Sequence, residues 1–224
     1  MVNILKSLEI NPWNRIGLLI TLICSLFFII VSIIAMFYYP GGYSFFGHYF
    51  SYLGTLTTTK TNLSNRVSMV LFIIACVIWS VALISFWLVF PRYFIKSSIT
   101  RYIGIFGSIS GEISSPFLIA LSIFPYDITP VEHAVTTNIF FFFFAIAVIS
   151  YSINIILTQD YNIIHALFGL FLSVITILGN FKIFSYVKYQ GYAIIEPMAQ
   201  KIIIYGLCLW IILQIIILWK KNLD

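Results

Sequence analysis

Few residues of this 224-residue chain can do chemistry, and five of them stand beside breaks in otherwise apolar sequence: His48, Ser51, Asp127, His133 and Glu196. Two imidazoles and a carboxylate are competent ligands for Zn²⁺. A hydroxyl, an imidazole and a carboxylate are the parts of a nucleophilic site. A structural arrangement competes with both: Asp127 or Ser51 hydrogen-bonds His133 and pins one connecting segment over another. The third histidine, His165, falls at the far end of a long apolar run from the other two, so a three-histidine metal site is not expected. No His-Glu-x-x-His, clustered-cysteine or Gly-rich phosphate motif occurs, and no metal or cofactor is expected. Residue types alone assign no catalytic role.

The elements that must position these residues are apolar. Six runs, approximately 16–38, 67–90, 102–124, 134–157, 163–184 and 202–219, reach or approach the roughly 20 residues that a helix needs to cross a bilayer. In hydrocarbon the backbone must satisfy its own hydrogen bonds, so each run is expected to be a helix. The expected fold is therefore all-α: a polytopic integral membrane protein, a six-transmembrane-helix bundle, with residues 1–224 forming a single membrane domain. A composition of 61% hydrophobic and 8% charged residues excludes an ordinary soluble domain, where about 25% would be charged. The net charge of +5 comes without any polybasic block. It points to membrane lipids and not to nucleic acid as a partner. Cys24, Cys76 and Cys208 all fall inside runs, as packing thiols do. The first run is too long for a signal-peptide core and is expected to remain in the mature protein.

Basic residues set the orientation. An even number of spans puts both termini on one side, with Lys6, Arg15, Arg92, Lys96, Arg101, Lys220 and Lys221; the other side has Lys60, Arg66, Lys182, Lys188 and Lys201. The larger group predicts cytoplasmic N- and C-termini and an exterior loop one, residues 39–66. Within it 43–54 is too aromatic for a solvated loop and is expected in the interface as a short helix or re-entrant turn, folded against loops three and five. Asn62-Leu63-Ser64 is a possible glycosylation acceptor. In the third loop, Thr129 or Asp127 is expected to cap the fourth helix, with Pro130 in its first turn and Glu132 facing the positive helix end. His133 is the residue that capping leaves unexplained.

Glu112 is the second candidate site, an acid near the middle of the third run with no Lys or Arg at comparable depth. Its cost in hydrocarbon predicts a neutral acid or a wet cavity. A hydrogen bond from Ser80, Ser173 or Thr176 is the structural reading; a proton-titrating or headgroup-reading site is the functional one. Gly107 and Gly111 beside it permit close approach of another helix. Phe140–Phe144 reads as a lipid-facing and packing surface. Asn154, Asn180 and Gln214 read as interhelical hydrogen-bonding residues.

Ser51-Tyr52-Leu53-Gly54 after the first run, Phe124-Pro125-Tyr126-Asp127 closing the third and His133 entering the fourth resemble the Ser-x-Leu-Gly, Phe-Pro-x-Asp and downstream His of a prokaryotic six-helix membrane protein family of unknown function. That family is distantly similar to the Frag/DRAM/Sfk group, which includes autophagy modulators and a protein of GPI-anchor lipid remodelling. Ile195-Glu196-Pro197 before the last run also fits. Tyr52 departs from the pattern, standing where the family commonly has an acidic residue. Three functions follow as expectations. The first is a non-enzymatic protein binding a lipid or membrane protein partner through its exterior loops. The second is a lipid-remodelling enzyme using His133 and Asp127, which the resemblance implies. The third is a transporter using Glu112.

Overall fold

Long apolar stretches have no alternative to the helix once water is withheld, and six helices dominate the computed structural model. Residues 12–59, 61–95, 97–158, 162–180, 188–189, 192–193 and 195–220 are described. The helices are α1 (Pro12–Phe37), α2 (Arg66–Val89), α3 (Ser98–Ile123), α4 (Pro130–Thr158), α5 (Ile163–Asn180) and α6 (Ile195–Lys220). Each is long and apolar enough to cross a membrane. Short 3₁₀ turns occupy Phe50–Gly54 and Phe90–Tyr93, and two-residue strands β1 (Lys188–Tyr189) and β2 (Tyr192–Ala193) pair antiparallel before α6.

Helix starts lie upstream of the apolar runs: α6 begins at Ile195 and not near 202, α4 at Pro130 and not near 134, α3 at Ser98 and not near 102. Polar residues and prolines are tolerated in a first helical turn, whose amides have no intrahelical acceptor. Ser97 shows this, since its side chain accepts from Thr100 N while the Thr100 side chain accepts from Ser97 N. Residues 181–184 of the fifth run, Lys6, Lys60, Lys96, Lys182 and Lys221, and the side chain of Lys188 lie outside the described residues.

Helices α1 and α3 place small and hydroxyl residues inside and large aliphatic ones outside, the opposite sense to a water-soluble bundle. In α1 the buried stripe is Gly17, Thr21, Ser25, Phe28, Ser32 and Ala35, while Ile16, Ile20, Ile23, Phe27, Ile30 and Ile34 are exposed. In α3, Thr100, Gly104, Gly107, Ser108, Gly111 and Ser115 are buried, and Ile99, Phe106, Ile109 and Ile113 face out. Small inner residues let backbones approach and let hydroxyls bond across helices. Thr21 Oγ1 donates to Ala82 O at 3.0 Å, Trp79 Nε1 to Ser25 Oγ at 3.1 Å and Asn154 Nδ2 to Thr100 O at 3.0 Å. Ser108 Oγ lies 2.6 Å from Trp87 O and 2.5 Å from the Tyr151 hydroxyl, joining α2, α3 and α4. Gly107 and Gly111 serve two different neighbours. A Cβ at Gly107 would meet Ser150 and Tyr151 of α4, and one at Gly111 would fall onto the Trp87 ring of α2.

Aromatic rings fill the centre. Phe28 stacks on Trp79 at 4.4 Å, and Phe140 and Phe144 of the five-phenylalanine run are fully buried while Phe142 faces out. Cys24, Cys76 and Cys208 are free thiols, the last two buried.

Candidate functional site

The described residues of loop one (38–59 and 61–65) cap one end of the bundle. Pro40-Gly41-Gly42 turns the chain after α1, with both glycines at positive φ. The 3₁₀ turn then drops Phe50 among Phe28, Phe72 and Tyr205. Asn65 fixes the exit, its Nδ2 lying 3.3, 3.2 and 3.0 Å from the carbonyls of Tyr52, Leu53 and Thr55. Asn62 sits in an exposed turn at φ 50°, beside the isolated bridge of Thr57 with Ser64.

Two other elements hold this cap. From the α3–α4 connection, the Asp127 carboxylate accepts from the amides of Leu56 (3.1 Å) and Thr57 (2.9 Å) and from Thr57 Oγ1 (3.1 Å). From α6, Glu196 Oε2 accepts from the Tyr49 hydroxyl at 2.6 Å and Gln200 Oε1 accepts from Phe50 N at 3.1 Å. Fully buried Lys201 donates to His48 O and to Pro197 O (2.9 Å), with its Nζ 5.3 Å from the Tyr43 ring centroid and 5.1 Å from that of Phe45. The phenol of Tyr49 is pushed well above its ordinary value, by burial first and then by the bond to Glu196, so it is the donor in that pair. Burial raises Tyr52 too, with Tyr126 beside it adding to the effect.

The candidates therefore divide. His48 accepts from Ser44 N through Nδ1 at 3.2 Å and packs among Tyr39, Tyr43 and Tyr52, away from His133. Asp127 is spent on loop one and does not pair with His133, and no hydrogen bond joins Ser51 to His133; a carboxylate finds more donors at two adjacent amides than at one imidazole. Of the two expected caps of α4, Asp127 is bonded to loop one and Thr129 Oγ1 donates back to Pro125 O at 3.1 Å. His133 instead serves α3. Its Nδ1 lies 3.0 Å from Leu121 O and 2.8 Å from Phe124 O, carbonyls that the end of the helix leaves without partners. Two acceptors there require the proton on Nδ1, which leaves a lone pair on Nε2 of the neutral ring.

Ser51, His133 and Glu196 line one cavity of about 430 Å³, between the 3₁₀ turn of loop one and helices α4, α5 and α6. Tyr49, Tyr52 and Tyr126 form one wall, with ring centroids 5.2 Å apart for Tyr49–Tyr52, 6.1 Å for Tyr52–Tyr126 and 5.8 Å for Tyr126–His133. Thr137, Asn138, Asn180 and Gln200 add polar groups, and Thr137 Oγ1 is buried with no hydrogen-bond partner. Phe141 and Ile203 supply apolar surface deeper in. The size suits a small ligand or one end of a large one. Ser51 Oγ makes no hydrogen bond to His133, so no nucleophile–base pair is assembled here. No three His, Cys, Asp or Glu side chains gather to hold a metal ion among the described residues.

Glu112 lies apart, half-buried on α3. Its Oε1 is buried with no partner. Each hydroxyl expected to reach it is used elsewhere: Ser80 on Ser115 O, Ser173 on Gly169 O and Thr176 on Leu172 O. A hydroxyl on a helix finds a carbonyl one turn back more easily than a side chain on another helix. Pro116 also deprives the Glu112 carbonyl of its usual donor four residues on.

Lys201 and Tyr49 were not singled out by sequence reasoning. The available signal was a lone lysine two turns into an apolar helix, visible only once the helix is known to start at Ile195. No protein-family model, curated protein or solved structure matches the chain.

Proposed function

We propose that this chain is a six-pass integral membrane protein, with both termini in the cytoplasm, that binds a membrane lipid in the cavity beneath loop one. The observation that carries the reading is an aromatic-walled cavity with several polar groups, at one end of helices whose outer faces are Ile, Leu and Phe. Exposed aliphatic faces on this scale are costly in water and suit hydrocarbon. Tyrosines gathered at a helix end suit the headgroup level. A lipid could place its head among the hydroxyls and its chains beside Phe141 and Ile203. The relationship to the Frag/DRAM/Sfk group is part of the proposal and rests on the short motifs alone.

One observation favours a second reading, a lipid-remodelling enzyme. His133 Nδ1 is held by two carbonyls, as a general base is oriented, and Ser51 lines the same cavity. Asp127 has no part in that version.

Native mass spectrometry of the purified chain tests both. A lipid retained unchanged supports binding, one that turns over supports the enzyme, and none retained leaves only a protein partner. Ser64→Cys, at an exposed position of loop one, tests the orientation in intact cells. Labelling from outside is expected, and labelling from the cytoplasm alone would reverse it.

A further inference from the structure

We infer that the cavity selects a lipid whose head carries a primary ammonium group, an inference that rests on the lipid-binding reading. The described lining is rich in acceptors and poor in cations. Glu196 Oε2 is occupied by Tyr49, which leaves Oε1 for a ligand. His133 offers the lone pair of Nε2, and Thr137 Oγ1 has no partner. Among the described lining residues none is Lys or Arg. Lys201, next in sequence to a lining residue, turns its Nζ the other way, onto His48 O.

Charge favours the same head. The N-terminal turns of α4 and α6 face this end, and each helix end carries about +0.5 of an elementary charge. The full negative charge of Glu196, on the first turn of α6, outweighs the nearer of them. An anionic head would meet that carboxylate, and none of the described lining residues supplies a cation to offset it. The three tyrosine rings add an electron-rich wall, which attracts a cation within about 6 Å of a ring centroid. A primary ammonium has N–H donors for Glu196 Oε1, Nε2 of His133 and Thr137 Oγ1; a quaternary ammonium has none.

The test is competition by native mass spectrometry on the full chain, with phosphatidylethanolamine, phosphatidylcholine and phosphatidylglycerol of identical acyl chains, and with free ethanolamine. Phosphatidylethanolamine is expected to be retained about tenfold over the other two, equivalent to about 1.4 kcal/mol. Glu196→Gln keeps an acceptor for Tyr49, so loop one stays in place, and it is expected to remove the preference. Retention of phosphatidylglycerol or phosphatidylcholine as well as or better than phosphatidylethanolamine overturns the ammonium inference and leaves lipid binding standing. A preference unchanged in Glu196→Gln overturns the inference in the same way. Ethanolamine binding as tightly as the lipid upholds ammonium recognition and overturns the lipid reading. No binding of any probe to folded protein overturns both.

Discussion

Replacing Lys201 by Met separates what a buried ammonium contributes from what its stem contributes. Lys201 is fully buried, and its two polar partners are backbone carbonyls, so removing it strands no opposite charge. Nor does it leave either carbonyl bare. Pro197 O lies four residues back, where the Lys201 amide is its helical donor, and His48 O shares the Tyr43 hydroxyl, 3.3 Å away, with Tyr49 O at 3.1 Å. The loss is one or two charge-assisted hydrogen bonds at roughly 1.5–3 kcal/mol each, plus about 0.5–2 kcal/mol of cation–π attraction. Against this stands the desolvation of an ion, several kcal/mol even after relaxation. The terms nearly cancel, and Met fills the stem's volume. Lys201→Met is expected to change stability by about 1 kcal/mol or less. Lys201→Ala keeps the same electrostatic change but empties the space beneath Tyr43 and Phe45, at a cost of about 2–4 kcal/mol. Unfolding by SDS titration in mixed micelles measures both. Equal destabilisation by Met and Ala would refute the reasoning, because the ammonium and not the packing would then carry the stability.

Gly111→Ala places a methyl on the buried Trp87 ring, whose carbonyl is also engaged by Ser108, so about 1–3 kcal/mol of destabilisation is expected in the same titration. Glu112→Leu removes a buried oxygen that no group satisfies and is expected to leave thermal stability unchanged or raised; a loss of 2 kcal/mol or more, about that of a broken buried hydrogen bond, would reveal a partner for Glu112. Tyr49 titrates higher in the folded chain than in the unfolded one, so its contribution is complete below the unfolded phenol value of about 10 and is lost as pH rises beyond it. Stability measured from pH 8 to 11 is expected to fall at the alkaline end, and less steeply in Tyr49→Phe.

The helices were legible because a run of apolar residues has one outcome in hydrocarbon, and the loop-one contacts with the third loop and α6 were legible as a juxtaposition. Partners were harder to read than positions. His133 stands beside Asp127 in the sequence, yet its bonds are to Leu121 O and Phe124 O, and backbone carbonyls carry no residue type for a pattern to reveal. Asp127 likewise binds amides. Glu196 was visible as a charge before the last run, but Tyr49 was one tyrosine among many in loop one. Lys201 was read as a flanking charge because Glu196-Pro197 looks like a break, although proline is welcome in a first turn.

The fastening of loop one has a consequence in time. Its ties to α6 span 147 residues for Tyr49 with Glu196, 150 for Phe50 with Gln200 and 153 for His48 with Lys201, whereas Asp127 reaches Leu56 across 71. At a ribosomal pace of about 5–20 residues per second, Glu196 is made roughly 7–30 s after Tyr49. In the later half of that interval loop one has Asp127 but no α6, so Phe50 lacks the tether from Gln200 and the cavity lacks one side. A nascent chain halted before α6 therefore differs from one that has made it: its aromatic segment is still open to chaperones and proteases. The sixth of these helices is the one that closes the loop after the first.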